Sequence, residues 1–591
     1  MDRKGIIAVA ICILVLLVWQ IKIAPKLAPV PPAAAQATPG ASPGGATSPA
    51  PSAGTAGAAS QPLPATIGAT ATASPSTAGA AGAAAAPGAE PKIPETLTNA
   101  AGPAALYFFT NLGGGITRAD LTGYPAESGS NVSLNEFGTL PIGALSEKPG
   151  EGADLPYTVT REGNTVVCVR EQGGLVITKK FTLPASTKES NGYRVTLDVS
   201  FANKGSAAIQ SPGYYLHVGS ATPIHQRDLP TYTAFDWYAD GGKANHIDVG
   251  YFKASKIPLI GLETRPEREF YTVDADKIGW SAISNQFFTT VIAPQNGATG
   301  NSVWAHNFPI KTGDRDVLAI EGALRMPGFS IAAGQSVTQS FTIYAGPKIY
   351  GVLQALGDGQ ERILNFGMFG VVSVFLLNSM NWLHSWTGSY AIAIIILTLC
   401  IRGALWPIQN KATASMRQMQ ELQPRMTELK EKYKDDPGRM NTEVMKLYKE
   451  YHINPLAGCL PMVVQLPIFW GFYRMLGTAI ELRGSGFLWV HDLSQPDTVF
   501  HLAGVPVNIL PLCMAVTMIV QMSMTPKTGD KSQQRMFMFM PLIFVMFCYN
   551  FASALALYWT VQNIFSIVQL YVTRKRTAPA PFKSPAKRKS R

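Results

Sequence analysis

Five apolar stretches crowd into the C-terminal part of the chain, at residues 390–406, 460–480, 507–524, 536–551 and 554–572. Each is close to the roughly 20 residues a helix needs to cross the hydrocarbon of a bilayer. Lipid offers no partner to a backbone N–H or C=O, so a spanning segment must close its hydrogen bonds within itself, as an α-helix. A sixth candidate opens the chain, where a basic start, MDRK, precedes the run GIIAVAICILVLLVWQI. No small-residue cleavage site closes that run, and the nearest, PAAAQA at 32–37, lies well past it. An uncleaved anchor is therefore favoured over a removed signal peptide. The reading is six spans, at 1–22, 390–408, 457–480, 507–524, 536–552 and 553–573.

Lysine and arginine flanking a span stay predominantly on the cytoplasmic side. The chain carries 49 of them against 38 Asp and Glu, and the excess is uneven. Arg3, Lys4, the stretch 411–449, the loop TPKTGDKSQQR within 525–535 and the tail RKRTAPAPFKSPAKRKSR at 574–591 are rich in them, whereas the loop 481–506 has only Arg483. Both termini are thus read as cytoplasmic, and the loop 481–506 and the long segment between the first two spans as external, in the periplasm of a bacterium. The basic balance is mostly a topology signal, although the tail could also touch anionic lipid or ribosomal RNA.

The parts between the spans differ in kind. Residues 23–97 are almost wholly Ala, Pro, Gly, Ser and Thr, with too little to bury, and read as a disordered linker. From 98 to 348 come short alternating runs such as LVITKKFTL, YRVTLDVSFAN and SVTQSFTIYAG, broken by Gly, Pro and Asn, which predict a β-sandwich. Its one cysteine, Cys168, has no partner for an internal disulfide. In 349–389 the run FGMFGVVSVFLL is short for a span and reads as an amphipathic helix in the interface. Residues 409–456 form a predicted helical hairpin: Met416, Met419, Leu422, Met426, Leu429 and Tyr433 recur at steps of three and four, DDPG interrupts them, and Val444, Leu447 and Tyr451 resume the spacing. Its seam either zips the two helices or docks a partner, and Pro424 should kink or break the first of them.

Within the spans, IIILTLCIRGALWP places Arg402 in an otherwise oily run. A guanidinium effectively never deprotonates, so it must reach water or have a task. From the residues alone, a snorkelling anchor near the cytoplasmic boundary and a site in a hydrated cavity stand level. Gln465, Thr517, Gln521, Gln562, Asn563, Ser566 and Gln569 add amides and hydroxyls, with Thr517 and Gln521 four apart and Gln562, Ser566 and Gln569 spaced four and three. Each set shares a helix face. Singly, such groups tie helices together; with Arg402 they suggest a wet cavity. Arg474, near the outer end of its span, has Glu481 seven residues on and is expected to pair with it locally.

The segments TLCIRGALWP, MRQMQELQP, INPLAGCLPMVVQLPIFWGFYRML, LWVHDLSQPD, FMPLIFVMF and LALYWTVQN resemble the YidC-type membrane protein insertases of Gram-negative bacteria, and NLGGGI, GWSAISNQFF and YAGPK match more loosely. The resemblance implies an α-helical polytopic membrane protein. Five of its six spans would form a core with a hydrophilic groove, flanked by a periplasmic β-sandwich and a cytoplasmic helical hairpin. It puts Arg402 and Thr398 at the groove's arginine and threonine, and Phe547 and Tyr558 at aromatic positions that touch the passing substrate. Gln465, Gln521, Gln562 and Asn563 complete the candidate groove set. The implied partners are nascent membrane proteins, the Sec translocon, the ribosome and targeting factors through the hairpin and tail, and lipid; the implied location is the inner membrane. Two departures are local: FASA at 551–554 replaces the frequent FPSG, and Trp559 follows Tyr558 where the family often has a second tyrosine.

No cofactor, metal or covalent catalysis is expected. The eight histidines lack ligand spacing, no GxxxxGK[ST] loop is present, and NLGGGI lacks the strand-to-helix setting of a nucleotide fingerprint. A solute transporter or channel is the alternative reading, against which stand the lack of paired repeats and of an intramembrane acid or histidine relay. A carbohydrate-processing β-domain on a membrane anchor is a third, resting on fold analogy alone.

Overall fold

The computed structural model describes residues 98–576 except 128, 150–154, 188–191, 226–227, 240–241, 257–262, 313–314, 435, 452–459, 503–504, 526–538, 540 and 547. The expected anchor 1–22, the linker 23–97 and the tail from 577 onward lie outside them.

Alternating sequences in 98–348 form antiparallel strands. Arg194–Asn203 is the clearest, its burial alternating strictly between core and half-exposed positions. Thirteen strands join one sheet. Its main path runs Leu145–Ser146, Tyr214–Ala221, Arg315–Met326, Gly300–Thr312, Phe270–Ser284, Phe288–Pro294, Ser336–Pro347, Arg194–Asn203, Leu175–Thr182, Thr165–Gln172 and Thr158–Glu162. So broad a sheet does not stay open. The register shifts between Asp274 and Ile278, and beyond that shift the long strand Phe270–Ser284 pairs with both Ala234–Ala239 and Phe288–Pro294. The sheet therefore folds back until Tyr214–Ala221, distant along the path, contacts Phe288–Pro294; both strands are buried along their whole length. A four-stranded sheet, Thr98–Leu134 in sequence order, packs against it through an edge-on pair of Phe109 and Phe181 at 5.3 Å. The β-rich domain predicted from alternation is present, built from one recurved sheet and a smaller partner.

Helices follow. Helix α1 (Tyr350–Leu356) leads to α2 (Gly370–Thr387), which extends well beyond the apolar run 366–377. Ser373, Leu376, Leu377 and Met380 of α2 are buried, while Val371, Phe375, Trp382 and Trp386 are exposed. Next, α3 (Tyr390–Glu421) is one continuous helix that runs on past 408, the expected end of the second span. Pro407 lies inside it, where the missing N–H leaves the Gly403 carbonyl without its intrahelical donor. The break comes at Leu422, just before Pro424 in the first turn of α4 (Gln423–Lys432). Helix α5 (Pro437–Glu450) starts with the Asp436 carboxylate accepting from the Arg439 amide at 2.9 Å and folds back on α4. Leu422 and Tyr448 form the buried centre of this hairpin, with Met419, Met426, Val444 and Tyr451 around them.

Helix α6 (Leu460–Thr478) and α7 (Ile509–Met524) are joined by the loop 479–508, residues 541–546 are helical, and α8 (Ser553–Arg576) closes the described chain. Among the described residues α3 and α8 are long and apolar enough to cross a membrane, and α7 is a shorter apolar helix. This loop pins two helix starts. Asp497 accepts from the Leu510 amide of α7 at 2.6 Å, and the Ser553 and Ala554 amides of α8 donate to the carbonyls of Gln495 and Leu493 at 2.8 and 2.9 Å. Donors that a helix leaves orphaned are thereby satisfied. The β-domain sits on the same end: Gln286 donates to the Gly477 carbonyl at 2.8 Å, Arg483 to the Pro125 carbonyl at 2.6 Å, and Gln495 bonds His225 at 2.9 Å.

Where α2 crosses α6 the backbones meet at Gly471. A Cβ there would lie 2.9 Å from Cγ1 of Val372, and the Gly471 carbonyl accepts from the Ser373 hydroxyl at 3.1 Å. Gly471→Val is expected to wedge the two helices apart and break that bond, at a cost of roughly 1–3 kcal/mol. The thermal unfolding midpoint of the purified protein in detergent should drop by several degrees, and an unchanged midpoint would show that the crossing relaxes freely.

Candidate functional site

The polar groups converge on α8. Tyr558, Gln562, Ser566 and Gln569 form one stripe along it at steps of four, four and three, and all four are buried. From α6, the Gln465 amide donates to the Tyr558 hydroxyl at 3.0 Å and to the Gln562 side-chain oxygen at 3.2 Å. Its own carbonyl oxygen, Oε1, is buried without a partner. Phe472, two turns along α6 from Gln465, stacks on Tyr558 with ring centroids 4.2 Å apart. The reading of the residues had passed over Phe472, although it lies seven positions from Gln465 and therefore on the same helix face.

Arg402 lies on the buried face of α3 one turn after Thr398, and is 5% exposed. Among the described residues no carboxylate and no hydrogen-bond acceptor reaches its guanidinium; its electrostatic neighbour is the Tyr558 hydroxyl. None of the five apolar segments contains an acidic residue, so none of these segments can neutralise it. A buried cation without a counter-ion is costly, and that cost falls when an anion or water approaches.

The other predicted residues divide. Thr398 is buried, but its hydroxyl donates to the Ile394 carbonyl of its own helix at 2.7 Å. Asn563 turns toward α7, donating to Thr517 Oγ1 at 3.2 Å and to the Met514 carbonyl at 3.4 Å, and so serves as an interhelix tie. Gln569 is a second tie, donating to Asn410 Oδ1 at 2.9 Å and the Trp406 carbonyl at 3.4 Å of α3. Gln521 is half-buried on α7, and no hydrogen bond brings its side chain into the network. Phe547 lies outside the described residues.

Arg474 is a correction. It does not pair with Glu481: its guanidinium donates through Nε, at 3.0 Å, and through a second nitrogen to the carbonyl of Asn365. Glu481 instead accepts from Asn381 of α2 at 3.3 Å. Asn365 has a positive φ of 45°, which turns its carbonyl out of the preceding 3₁₀ turn and makes it available as an acceptor. A backbone oxygen more than a hundred residues upstream outcompetes the carboxylate seven residues away.

The site therefore presents a lone buried cation beside a tyrosine hydroxyl, two linked amides with an unfilled acceptor, and a stacked aromatic wall. Such a surface can hold a carboxylate, a peptide group or water. No group of three or more His, Cys, Asp or Glu able to hold a metal occurs among the described residues.

Comparison with known proteins places two family profiles on the chain: "YidC periplasmic domain" over residues 109–379 and "60Kd inner membrane protein" over 382–580. A Membrane protein insertase YidC from Geobacter sulfurreducens is 30% identical over 511 residues, covering 81% of this chain and 86% of the relative. Another, from Citrifermentans bemidjiense, is 32% identical over 444 residues, covering 75% of each. Among solved structures, the crystal structure of an active YidC insertase with its first transmembrane domain resolved matches at 18% identity and a TM-score of 0.33, covering 80% of this chain and 91% of that one.

Proposed function

Given that the chain belongs to the YidC family of membrane protein insertases, we propose that it passes polar segments of newly made proteins across the inner half of the membrane beside Arg402 and releases their hydrophobic helices sideways into lipid. The observation that carries this reading is Arg402 itself, buried, charged and without a partner among the described residues. An acidic or polar segment entering from the cytoplasm would find there the charge and hydrogen-bonding groups that hydrocarbon lacks, so the low-dielectric distance it must cross shortens. Outward movement of a negative charge also gains roughly 2.3 kcal/mol per 100 mV of membrane potential. No nucleotide is required.

The reading takes six spans with both termini cytoplasmic in the inner membrane, the β-domain and the loop 481–506 periplasmic, and the hairpin cytoplasmic. In this arrangement α2 lies in the outer interface with Val371, Phe375, Trp382 and Trp386 turned to lipid, as tryptophans at a membrane boundary favour. Because α3 runs unbroken to Glu421, the hairpin would stand off the core on a stiff stalk and receive the substrate, the ribosome or a targeting factor. Work beside the Sec translocon belongs to the same proposal, which involves no covalent catalysis. The transporter alternative has no support among the relatives.

Reconstitution tests the function. Purified protein in vesicles should promote insertion of a small membrane protein above the level of empty vesicles, and a photo-crosslinker at Tyr558 should capture a stalled nascent chain. Solute flux without insertion would favour the transporter and defeat this reading.

A further inference from the structure

At the opposite end of the helices from the β-domain, α3 and α8 enclose a cavity of about 280 Å³ lined by Trp406, Asn410, Lys411, Thr413, Arg417 and Thr573 among others. Among the described lining residues none is acidic, and two are cations. The arginine is held at the wall, donating to the Thr573 carbonyl at 3.4 Å. Toward the membrane interior the cavity is closed by the Gln569 tie to Asn410 and Trp406 and by Trp406 set edge-on against Phe565 at 5.4 Å. Three further basic residues, Arg574, Lys575 and Arg576, follow directly on the same helix.

The neighbouring surface differs in chemistry. Ile564, Val568 and Tyr571 are exposed at steps of four and three, forming an apolar stripe that leads along α8 to Val572 on the cavity wall. A basic recess at the end of an exposed apolar stripe fits a ligand that joins an anionic head to an apolar tail.

We propose that this cavity binds the phosphate headgroup of an anionic phospholipid, with Lys411 and Arg417 on the phosphate and an acyl chain along the Ile564–Tyr571 stripe. Arginine's planar fork suits two phosphate oxygens at once, and lysine adds a point charge. A free phosphate would use only the head of the site, and an RNA backbone would have no use for the stripe. The inference rests on reading α3 and α8 as spans whose Lys411 and Arg576 ends face the cytoplasm, where basic recesses between helices meet anionic headgroups.

The test uses the full chain, purified in a neutral detergent and examined by native mass spectrometry after addition of phosphatidylglycerol or phosphatidylcholine. Retention should favour phosphatidylglycerol. With each cation contributing roughly fivefold, the Lys411→Gln/Arg417→Gln double variant should lower that retention by about twenty-five-fold. Lys411→Arg should keep it, as should Lys446→Gln on α5. Should the double variant not accumulate, Lys411→Glu, at an exposed position whose loss leaves packing intact, should abolish the preference alone. Equal retention in wild type and the charge-removing variants overturns the proposal. Displacement of phosphatidylglycerol by inorganic phosphate would reduce the cavity to an anion site and overturn the lipid assignment, and displacement by a short RNA would do the same in favour of nucleic acid. Insertion into vesicles is measured in parallel: loss of lipid preference with insertion intact leaves the insertase reading standing, while wild type that binds the lipid but inserts nothing fails the insertase reading alone.

Discussion

Replacing Arg402 with alanine is expected to lower insertion by about tenfold or more for a substrate whose crossing segment carries Asp or Glu, and least for the same substrate with Asn or Gln in its place. The size follows from the roughly 1.5–3 kcal/mol of a hydrogen bond to a charged group, where 1.4 kcal/mol is a factor of ten. Arg402→Lys should retain much of the activity toward both substrates, because an ammonium keeps the charge while losing the planar five-donor fork. Since no carboxylate among the described residues depends on Arg402, its removal leaves no orphaned anion, and the alanine variant should accumulate normally. The comparison is made with paired substrates against wild type, Lys and Ala variants at matched protein levels. If Arg402 only anchors α3 at the interface, the alanine defect will be equal for both members of each pair, and that result would falsify the electrostatic account.

How far such a site can be read from residues alone depends on the range of each contact. The stripe Tyr558, Gln562, Ser566, Gln569 and the Thr398–Arg402 step are helix periodicity, visible in any apolar segment once its period is assumed. Their destinations were not visible, because spacing within one helix says nothing of which neighbour faces it. Gln562 meets Gln465, Asn563 meets Thr517, and Gln569 meets Asn410, a residue that lay beyond the expected end of its span. The misreading of Arg474 has the same origin: a partner seven residues away is easy to nominate, whereas the carbonyl of Asn365 becomes an acceptor only through the turn that presents it. In the β-domain the strands follow from alternation, yet their order does not, since every pairing from Tyr214–Ala221 to Arg315–Met326 is non-local. The relation of hairpin to core was also hidden, because local spacing does not show that α3 runs unbroken from Tyr390 to Glu421.

The stability of the β-domain should climb with pH between about 7 and 9.5, by on the order of 2–3 kcal/mol for each of two lysines. Alternation around Phe181 turns Lys179 into the core and Lys180 out of it, against the strong tendency of lysine to stay exposed. Lys179 is fully buried, donates to the carbonyls of Gly143 at 3.0 Å and Gly113, and lies 4.4 Å from the centre of the Tyr157 ring. Burial pushes its ammonium down from 10.5 to about 7; Cys168 opposes that fall and Arg170 adds to it. Lys348, buried where the domain meets the helices, falls to about 8, again through burial, with Asp236 opposing and Arg474 reinforcing. Between the folded value near 7 and the unfolded value near 10.5 the folded lysine is neutral while the unfolded one holds its proton. The unfolded state then binds more protons, and raising the pH favours the fold; below about 7 both states are protonated and the whole cost of the buried charge is felt. His217, lowered to about 3 chiefly by burial, acts in the same direction at lower pH, where stability falls as pH drops through 6.5. The buried tyrosines, among them Tyr107, are raised above 10 by burial and reverse the trend only beyond that pH. The urea midpoint of the domain in the full-length protein, followed by protease protection, should therefore rise from pH 7 to pH 9.5. Lys179→Met should shrink the rise and Lys179→Met/Lys348→Met should nearly remove it, although each variant starts less stable wherever a carbonyl loses its donor. A double variant with the wild-type slope would locate the proton linkage elsewhere in the domain.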